Sequence, residues 1–489
     1  MKKLLAIISA FVLTMSLIAC GGGTTSPAKK KVVIKYCGWD LGTEEENNLV
    51  RRLIANYNKN STEVRIQMVS SEGNPTEWLS TLASANNLPD VFLVENVAQA
   101  IKDDWALDLT SYVSQDPEWQ DVEEGLRESV TYGEKVYAIP AAQDYIGYKI
   151  NYDLVNNYAT IDDEAENIFY AGSDLYTTDK LFEVVKSMRN INVNDGTGYI
   201  GLDMTGDIIN WLPASLDETG TIKHFVWDGT NFQFTSDAMY DAILKIREIA
   251  NTTEQYVLSS IPDTTGEGDD LVEHKKQIFG SVDRMDVFAN GKLGFVQDGS
   301  WTSDTTHDFN YKFIGFPNNK VISTADYMCV NAYSKNKDYA YEVAKYLTFG
   351  LQGCLDRFNI IDNNKEAGLS LDGLPISTNS QVVDKWFDYV ALNGLEEVFK
   401  CVAEGKIDVL VEGNKVVPGF IEARFKYETG VIVPGNRGDS ALSIGDLIWD
   451  VCSCQISEID WKTNMTTTLE GNINKVIDDA YKALGIERE

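Results

Sequence analysis

Histidine is almost absent from this chain: His224, His274 and His307 are the three in 489 residues, and no two lie within four positions of each other. That scarcity excludes a His-based metal centre. Cations are also short, 42 Lys+Arg against 74 Asp+Glu for a formal charge of −32, which excludes a nucleic-acid grip built on net basic charge. The GxSxG elbow, the HExxH pair and the Walker loop are missing. Seven cysteines are too few to be the framework of a chain this long.

What is present points to a folded body. At 44% hydrophobic and 11% aromatic the chain can bury a large core, so the acidic excess does not signal disorder. The length gives a prior of roughly three compact units or two large ones, at about 150 residues each. Two are expected.

Residues 1–19 have the layout of an export signal: Lys2 and Lys3, an apolar stretch from Leu4 to Ile18, then small Ala19 before Cys20. The apolar run falls short of the roughly 20 residues of a spanning helix. Leu17-Ile18-Ala19-Cys20 resembles the bacterial lipobox, which implies cleavage before Cys20 and a lipid on its thiol. Gly21-Gly22-Gly23-Thr24-Thr25-Ser26-Pro27 can build no core and leads into Lys29-Lys30-Lys31, so residues 20–31 read as a tether. About ten flexible residues reach roughly 17 to 19 Å. Loss of the two signal lysines takes the charge from −32 to −34, so only the lipid and the three lysines favour an anionic membrane.

Six cysteines remain: Cys37, Cys329, Cys354, Cys401, Cys452 and Cys454. The Cys452-Ser453-Cys454 spacing is not that of redox or zinc CxxC sites, and buried thiols are expected. No metal is expected either. Asn192-Val193-Asn194-Asp195-Gly196 fails the calcium-loop spacing, because Gly196 at the sixth position puts Ile191 at the first. Asp195-Gly196 reads as a turn, and Asp263 to Asp270 as a mobile loop.

The mature chain opens as strand, helix, strand. Val32 to Tyr36 is β-branched, Thr43 and Glu46 form a capping box for a helix carrying Leu49, Leu53 and Tyr57 on one face, and Val64 to Val69 alternates. That order predicts a parallel sheet, whose ligands lie beyond the strand C-termini. Trp39 and Asp40 follow the first strand, and Glu95-Asn96 follow the buried strand Pro89 to Val94. Later, Val136 to Pro140 reads as a strand, and Ala141 to Tyr145 leads directly into another, Ile146 to Ile150. A strand feeding a strand without a helix predicts a crossover between sheets. A helix is expected from about Thr178 to Arg189.

Several segments carry a resemblance. Ala83-Ser84-Ala85-Asn86-Asn87-Leu88-Pro89-Asp90-Val91-Phe92, Tyr132-Gly133-Glu134-Lys135-Val136-Tyr137-Ala138-Ile139-Pro140 and Ile150-Asn151-Tyr152-Asp153 are three of them. Phe288-Ala289-Asn290-Gly291-Lys292-Leu293-Gly294-Phe295 with Asp298-Gly299-Ser300-Trp301, and Ala332-Tyr333-Ser334-Lys335-Asn336-Lys337-Asp338-Tyr339-Ala340, are the others. In this order they resemble extracellular solute-binding protein family 1, the carbohydrate-binding subunits of bacterial ABC importers that include the maltodextrin-binding proteins. The resemblance spans most of residues 32–350 and fades beyond about residue 377.

It implies an α/β, two-lobe periplasmic-binding-protein fold of type II, each lobe a mainly parallel sheet flanked by helices, with a cleft between them. The chain would cross between lobes near Gln143 to Tyr145, near Ser323 to Asp326 and after Gly373-Leu374-Pro375. Residues 32–143 plus 326–377 would form the N-terminal lobe, and 144–325 plus 378–489 the C-terminal lobe. It further implies a monomer on the outer face of the cell membrane, partnered by an importer's permease subunits, without nucleic acid, cofactor or catalytic residue.

A sugar offers hydroxyl rims and apolar faces, which carboxylates, amides and aromatic rings match. By resemblance Trp301, at the family's G-x-W, is the first stacking residue, and Trp211 lies in a segment similar to one that carries cleft aromatics. Trp39 joins them from its place after the first strand. The polar set is Asp40, Glu95, Asn96 and Asp144, with Tyr145, Asp298 and Tyr327 as additions. Three rivals stand beside this reading, one of them an adhesin or structural lipoprotein, which predicts no ligand-dependent closure; the other two bind or cut a ligand. One is a secreted glycoside hydrolase using two of the many carboxylates; the other is the same fold holding a peptide, a polyamine or another non-sugar solute.

Overall fold

The computed structural model describes residues 30–70, 73–204, 206–250, 253–266, 271–302, 306–432, 440–452 and 461–488. The export signal, Cys20, the tether up to residue 29 and Cys454 lie outside them. Among the described residues no helix is long and apolar enough to cross a membrane.

Among the described residues ten strands join in one sheet. In chain order they are β1 (Val32–Cys37), β2 (Val64–Met68), β3 (Val91–Val94), β4 (Ile139–Asn151), β5 (Arg189–Asn190), β6 (Tyr199–Leu202), β7 (Leu293–Gly299), β8 (Tyr311–Gly315), β9 (Lys320–Val330) and β10 (Asp408–Val411). Their lateral order is β2-β1-β3-β9-β4-β7-β6-β5, with β8 also on β4 and β10 also on β9. The pairs β1–β2, β1–β3, β6–β7 and β9–β10 are parallel. The long strands β4 and β9 run antiparallel to each other and to β7, β8 and β3.

Those two strands join the lobes. At 13 residues β4 spans about 43 Å, enough to serve two sheets. Its first half, Ile139 to Asp144, pairs with Met328 to Thr324 of β9, and its second half, Ile146 to Ile150, pairs with Gly299 to Phe295 of β7. The two strands expected on either side of Ala141–Tyr145 are thus one strand, and Val136 belongs instead to a two-residue strand of a small hairpin. Asp326 faces Ala142 but Tyr327 faces Pro140, so Ala141 is an extra residue in the ladder and bends it.

A third segment runs beside them. Leu374 N donates to Gln143 O at 2.8 Å, and Gly373 N to Ser300 O at 3.0 Å. Gly373 has φ +64°, and a Cβ there would sit 2.4 Å from Gln143 O and 2.6 Å from the Asp144 carboxylate. Only glycine fits so close a passage.

Two large apolar cores flank the crossings. One gathers Ile34, Tyr36, Val91, Phe92, Ile139, Met328, Cys329 and Val343. The other gathers Tyr148, Phe169, Trp211, Phe234, Phe295, Phe316 and Ile477, and within it Trp211 stacks on Phe316 at 5.2 Å while Tyr148 meets both rings edge-on. A smaller cluster around Phe279, Phe288, Phe313 and Val398 packs elsewhere on the central strands. Beyond β10 the chain touches both large cores: Val416 enters the first, Phe420 and Ala423 return to the second, and Leu484 and Ile486 lie against the first again.

Local boundaries follow side-chain chemistry. Thr43 N does bond Glu46 at 3.2 Å, yet the helix runs Leu49–Asn60 and its N-cap is Asn48, whose amide accepts from Arg51 N. Asn47, at φ +44°, separates the turn from the helix. The later helix is Thr178–Ser187, and Arg189 has passed into an edge strand. Asp195 accepts both groups of Thr197, closing the expected turn. Cys37, Cys329 and Cys354 are buried free thiols, Cys452 is buried, and Cys401 is half-buried. The stretch opening at Asp263 has a paired base, Thr265 and Val272 exchanging two backbone bonds; residues 267–270 lie outside the described residues.

Candidate functional site

The strand ends converge on one seam. Beyond β1, Gly38 leads into the short turn Trp39–Leu41, and a Cβ on Gly38 would fall 2.3 Å from the Asp40 carboxylate and 2.5 Å from the Tyr36 hydroxyl. That close approach lets Tyr36 Oη donate to the Asp40 carboxylate at 2.6 Å. Trp39 Nε1 reaches across to Asp326 Oδ2 at 2.8 Å, and Lys415 Nζ takes the other oxygen at 2.5 Å. Burial pushes the Asp40 carboxyl up to about 6; Asp326 adds to the rise, and the Tyr36 bond and Arg357 oppose it.

Asp144 sits where β4 passes between the lobes. Its Oδ1 accepts from Ser300 Oγ at 2.9 Å, and the same Oγ accepts from Tyr145 N at 3.0 Å. Burial raises this carboxyl to about 7, with Asp326 and Asp372 raising it further against the Ser300 bond and Lys415. Ser300 thus ties the first and third crossing segments to the residue next to it, Trp301.

Trp301 is 49% exposed. Its indole lies on Gly299, the last residue of β7, since a Cβ there would be 2.1 to 2.3 Å from three ring atoms. Beyond the neighbouring parallel strand β6 the same device recurs: the ring of Trp449 covers Gly206, where a Cβ would be 1.9 Å from it, and Trp449 is 41% exposed. Two indoles, each backed by a glycine, therefore stand at the ends of adjacent strands.

The remaining expected site residues divide. Glu95 is exposed and accepts from the Thr76 hydroxyl. Asn96 caps the helix Val97–Lys102 through Gln99 N and donates to Asn414 O at 3.2 Å. Both line a cavity of about 520 Å³ whose far wall is Pro418, Gly419, Ile421 and Lys426. Four others are interior. Trp211 is 0% exposed, held by the aromatic core, so no ligand ring can stack on it here. Asp298 is spent on buried Lys149 at 2.7 Å and on the Thr302 hydroxyl. Tyr327 shares a bond with Ser129 Oγ at 3.1 Å, and Tyr145 packs in the smaller cluster.

Sequence reasoning missed several members. Asp326 and Lys415 complete the Trp39 contact, and Asp203, directly after β6, pairs with Arg284 at 2.7 Å. Trp449 had a legible signal: Ile444, Leu447, Ile448 and Val451 form the buried stripe of its helix, and the tryptophan lies off that stripe. Among the described residues no trio of His, Cys, Asp or Glu is arranged to hold a metal ion.

The model of a family described as bacterial extracellular solute-binding protein matches residues 52–352, more than half of the chain. Among solved structures the fold is similar to that of an ABC substrate-binding protein from Listeria monocytogenes in complex with cycloalternan, at TM-score 0.62, 14% identity, 92% of this chain and 100% of that one. The GacH receptor of Streptomyces glaucescens, solved unliganded and with acarbose, gives 0.57, 16%, 92% and 100%. A solute-binding protein from Thermotoga lettingae bound with α-D-tagatose gives 0.57, 13%, 92% and 100%. No curated protein matches the sequence significantly. At such identities the structural likeness is one of fold, the two-lobe periplasmic-binding-protein architecture, and with the family match it settles membership: the chain belongs to the bacterial extracellular solute-binding proteins, a family of binding proteins rather than enzymes.

Proposed function

We propose that this chain is a lipid-anchored, monomeric capture subunit that takes a sugar or oligosaccharide by lobe closure and delivers it to the permease subunits of an ABC-type importer. The observation that carries the sugar reading is the pair of half-exposed indoles on glycine, Trp301 and Trp449, beside the carboxyl groups of the seam. Rings present apolar faces to a pyranose, and carboxylates accept its hydroxyls. The solved relatives that hold cycloalternan, acarbose and α-D-tagatose support the same reading. A ligand touching both rims favours the closed form by its differential contacts, with β4, β9 and the Gly373 segment as the hinge.

The anchor rests on the lipobox-like Leu17-Ile18-Ala19-Cys20. Cys20→Ser is expected to release the protein from membranes into the medium. The sugar reading is tested by a thermal-shift panel of mono-, di- and oligosaccharides with peptides and polyamines beside them, since a ligand at 100 times its Kd adds about 2.7 kcal/mol. Stabilisation by a saccharide class supports it. Stabilisation by peptides or polyamines alone ends it.

A further inference from the structure

The chain beyond β10 divides the cleft, and what it leaves open limits the length of the solute, an inference that rests on the saccharide reading above. Strand β3 ends opposite Tyr327 of β9 and β10 ends opposite Ser323, so the two run toward each other along β9 with Thr324 to Asp326 between their ends. Ligands of such sheets lie beyond strand ends. Here that place is taken by the protein's own segment, Glu412 to Val416.

The segment is bonded to both rims. Glu412 N donates to Ser323 O at 2.9 Å, and the Glu412 carboxylate accepts from Thr324 Oγ1 at 2.6 Å. On the N-terminal rim Asn96 Nδ2 donates to Asn414 O at 3.2 Å, Val97 N to Lys415 O at 2.9 Å and the Tyr132 hydroxyl to Val416 O at 2.6 Å. On the C-terminal rim Arg424 donates to Asn414 Oδ1 at 3.1 Å and also to Asn210, in the turn beyond β6. Lys415 Nζ and Trp39 Nε1 share the Asp326 carboxylate. A continuous row of bonds thus crosses the cleft from Trp39 through Asp326, Lys415 and Asn414 to Arg424. Three successive carbonyls accept at once and Val416 is buried in the first core, which makes the segment a wall and not a loop that a solute pushes aside.

Separate cavities remain. One of about 240 Å³ is lined by Asp40, Asn48, Gln143, Arg357 and Asp372, and the one of about 520 Å³ by Glu95, Lys102 and Lys426; no residue lines both. The smaller can match a hydroxyl rim in both senses. Its carboxylates accept, and Arg357, which gives one nitrogen to Leu347 O and whose Nη1 has no partner among the described residues, donates. Asp372 precedes Gly373, whose N–H bonds Ser300 O, so this cavity lies beside Trp301. Its volume is below the roughly 300 to 1,000 Å³ that encloses a drug-sized ligand. We propose that residues Asn414 to Val416 set the length of the solute: the cleft takes a short saccharide, or only the end of a longer one, in the cavity beside Trp301, and a sugar chain cannot continue past the segment to Glu95.

The test is calorimetry on the mature chain with malto-, manno- and xylo-oligosaccharides of one to six units. In the series that binds, affinity should rise by about tenfold per unit up to the second or third and by less than about threefold in all from there to the sixth. A variant carrying Asn414→Gly and Lys415→Gly loses the side-chain ties to Arg424 and Asp326 and gains backbone freedom, so its affinity for the hexamer should grow at least about threefold relative to the trimer. Affinity that climbs with every unit to the sixth in the unaltered protein overturns the inference and leaves the saccharide reading standing. The same plateau in both proteins would put the limit elsewhere than in this segment and overturns it too. Failure of all three series overturns the saccharide reading and the inference together.

Discussion

The two rims of the cleft are built on opposite plans. On the N-terminal rim each polar group is already engaged: the Asp40 carboxylate by Tyr36, the Trp39 indole N–H by Asp326, the Asn96 amide by a helix end and by Asn414 O. On the C-terminal rim the two indoles each have one face on a glycine and remain about half exposed. The first rim is preorganised by internal bonds, the second by close packing on bare backbone. Substitutions on the first should therefore cost stability, and those on the second should cost binding.

The largest effect is expected where the rims are joined. Gly373→Ala forces a side chain into φ +64° and against Gln143 O at 2.4 Å, the backbone of another crossing segment. Strain and overpacking together should cost about 2 to 4 kcal/mol, read as a lower urea midpoint. An unchanged midpoint would mean that the third segment does not run tightly beside β4.

On the C-terminal rim, Trp301→Ala should weaken saccharide binding at least about thirtyfold, near 2 kcal/mol, as for a stacking anchor. Its urea midpoint should stay within error of the unaltered protein, because the ring is 49% exposed. Trp449→Ala should behave alike. A variant that loses stability rather than affinity would move its tryptophan from the ligand wall to the scaffold. Tyr36→Phe, on the other rim, is expected to show the reverse: it removes the donor to Asp40 and should cost about 1 to 1.5 kcal/mol of stability.

How far the sequence foretold these rims depended on the kind of signal. Trp39 and Asp40, Glu95 and Asn96, and the passage at Gln143 to Tyr145 are local readings, a strand followed by a polar loop or by another strand, and each stands at a strand end or crossing. Trp211 could not be read that way. Whether an indole faces a cleft or the interior depends on Phe316 and Tyr148, 105 and 63 positions away, which enclose it. Asp326 and Lys415 were invisible for the same reason, since Asp326 meets Trp39 across 287 positions and Lys415 meets Asp326 across 89. Local periodicity carries faces and ends of elements; it carries no information about which distant partner covers them.

The one pH-dependent effect concerns Asp144, which belongs to neither rim but to the strand between them. Its folded carboxyl is raised to about 7, chiefly by burial, whereas in the unfolded chain it should titrate near 3.9. Between those values the folded protein keeps a proton that the unfolded chain releases, so this group makes stability fall as pH rises from about 4 to 7, and its destabilising contribution is fully present above 7. Asp144→Asn removes the buried charge while its amide oxygen still accepts from Ser300 Oγ. The variant should therefore match the unaltered protein near pH 4 and exceed it by up to about 4 kcal/mol at pH 8, in urea titrations at both ends of that range. Parallel stability curves would show that the carboxylate at the crossing is as well solvated in the folded protein as in the unfolded chain, and the crossing would then have to be open to water where β4 and the Gly373 segment now close on it.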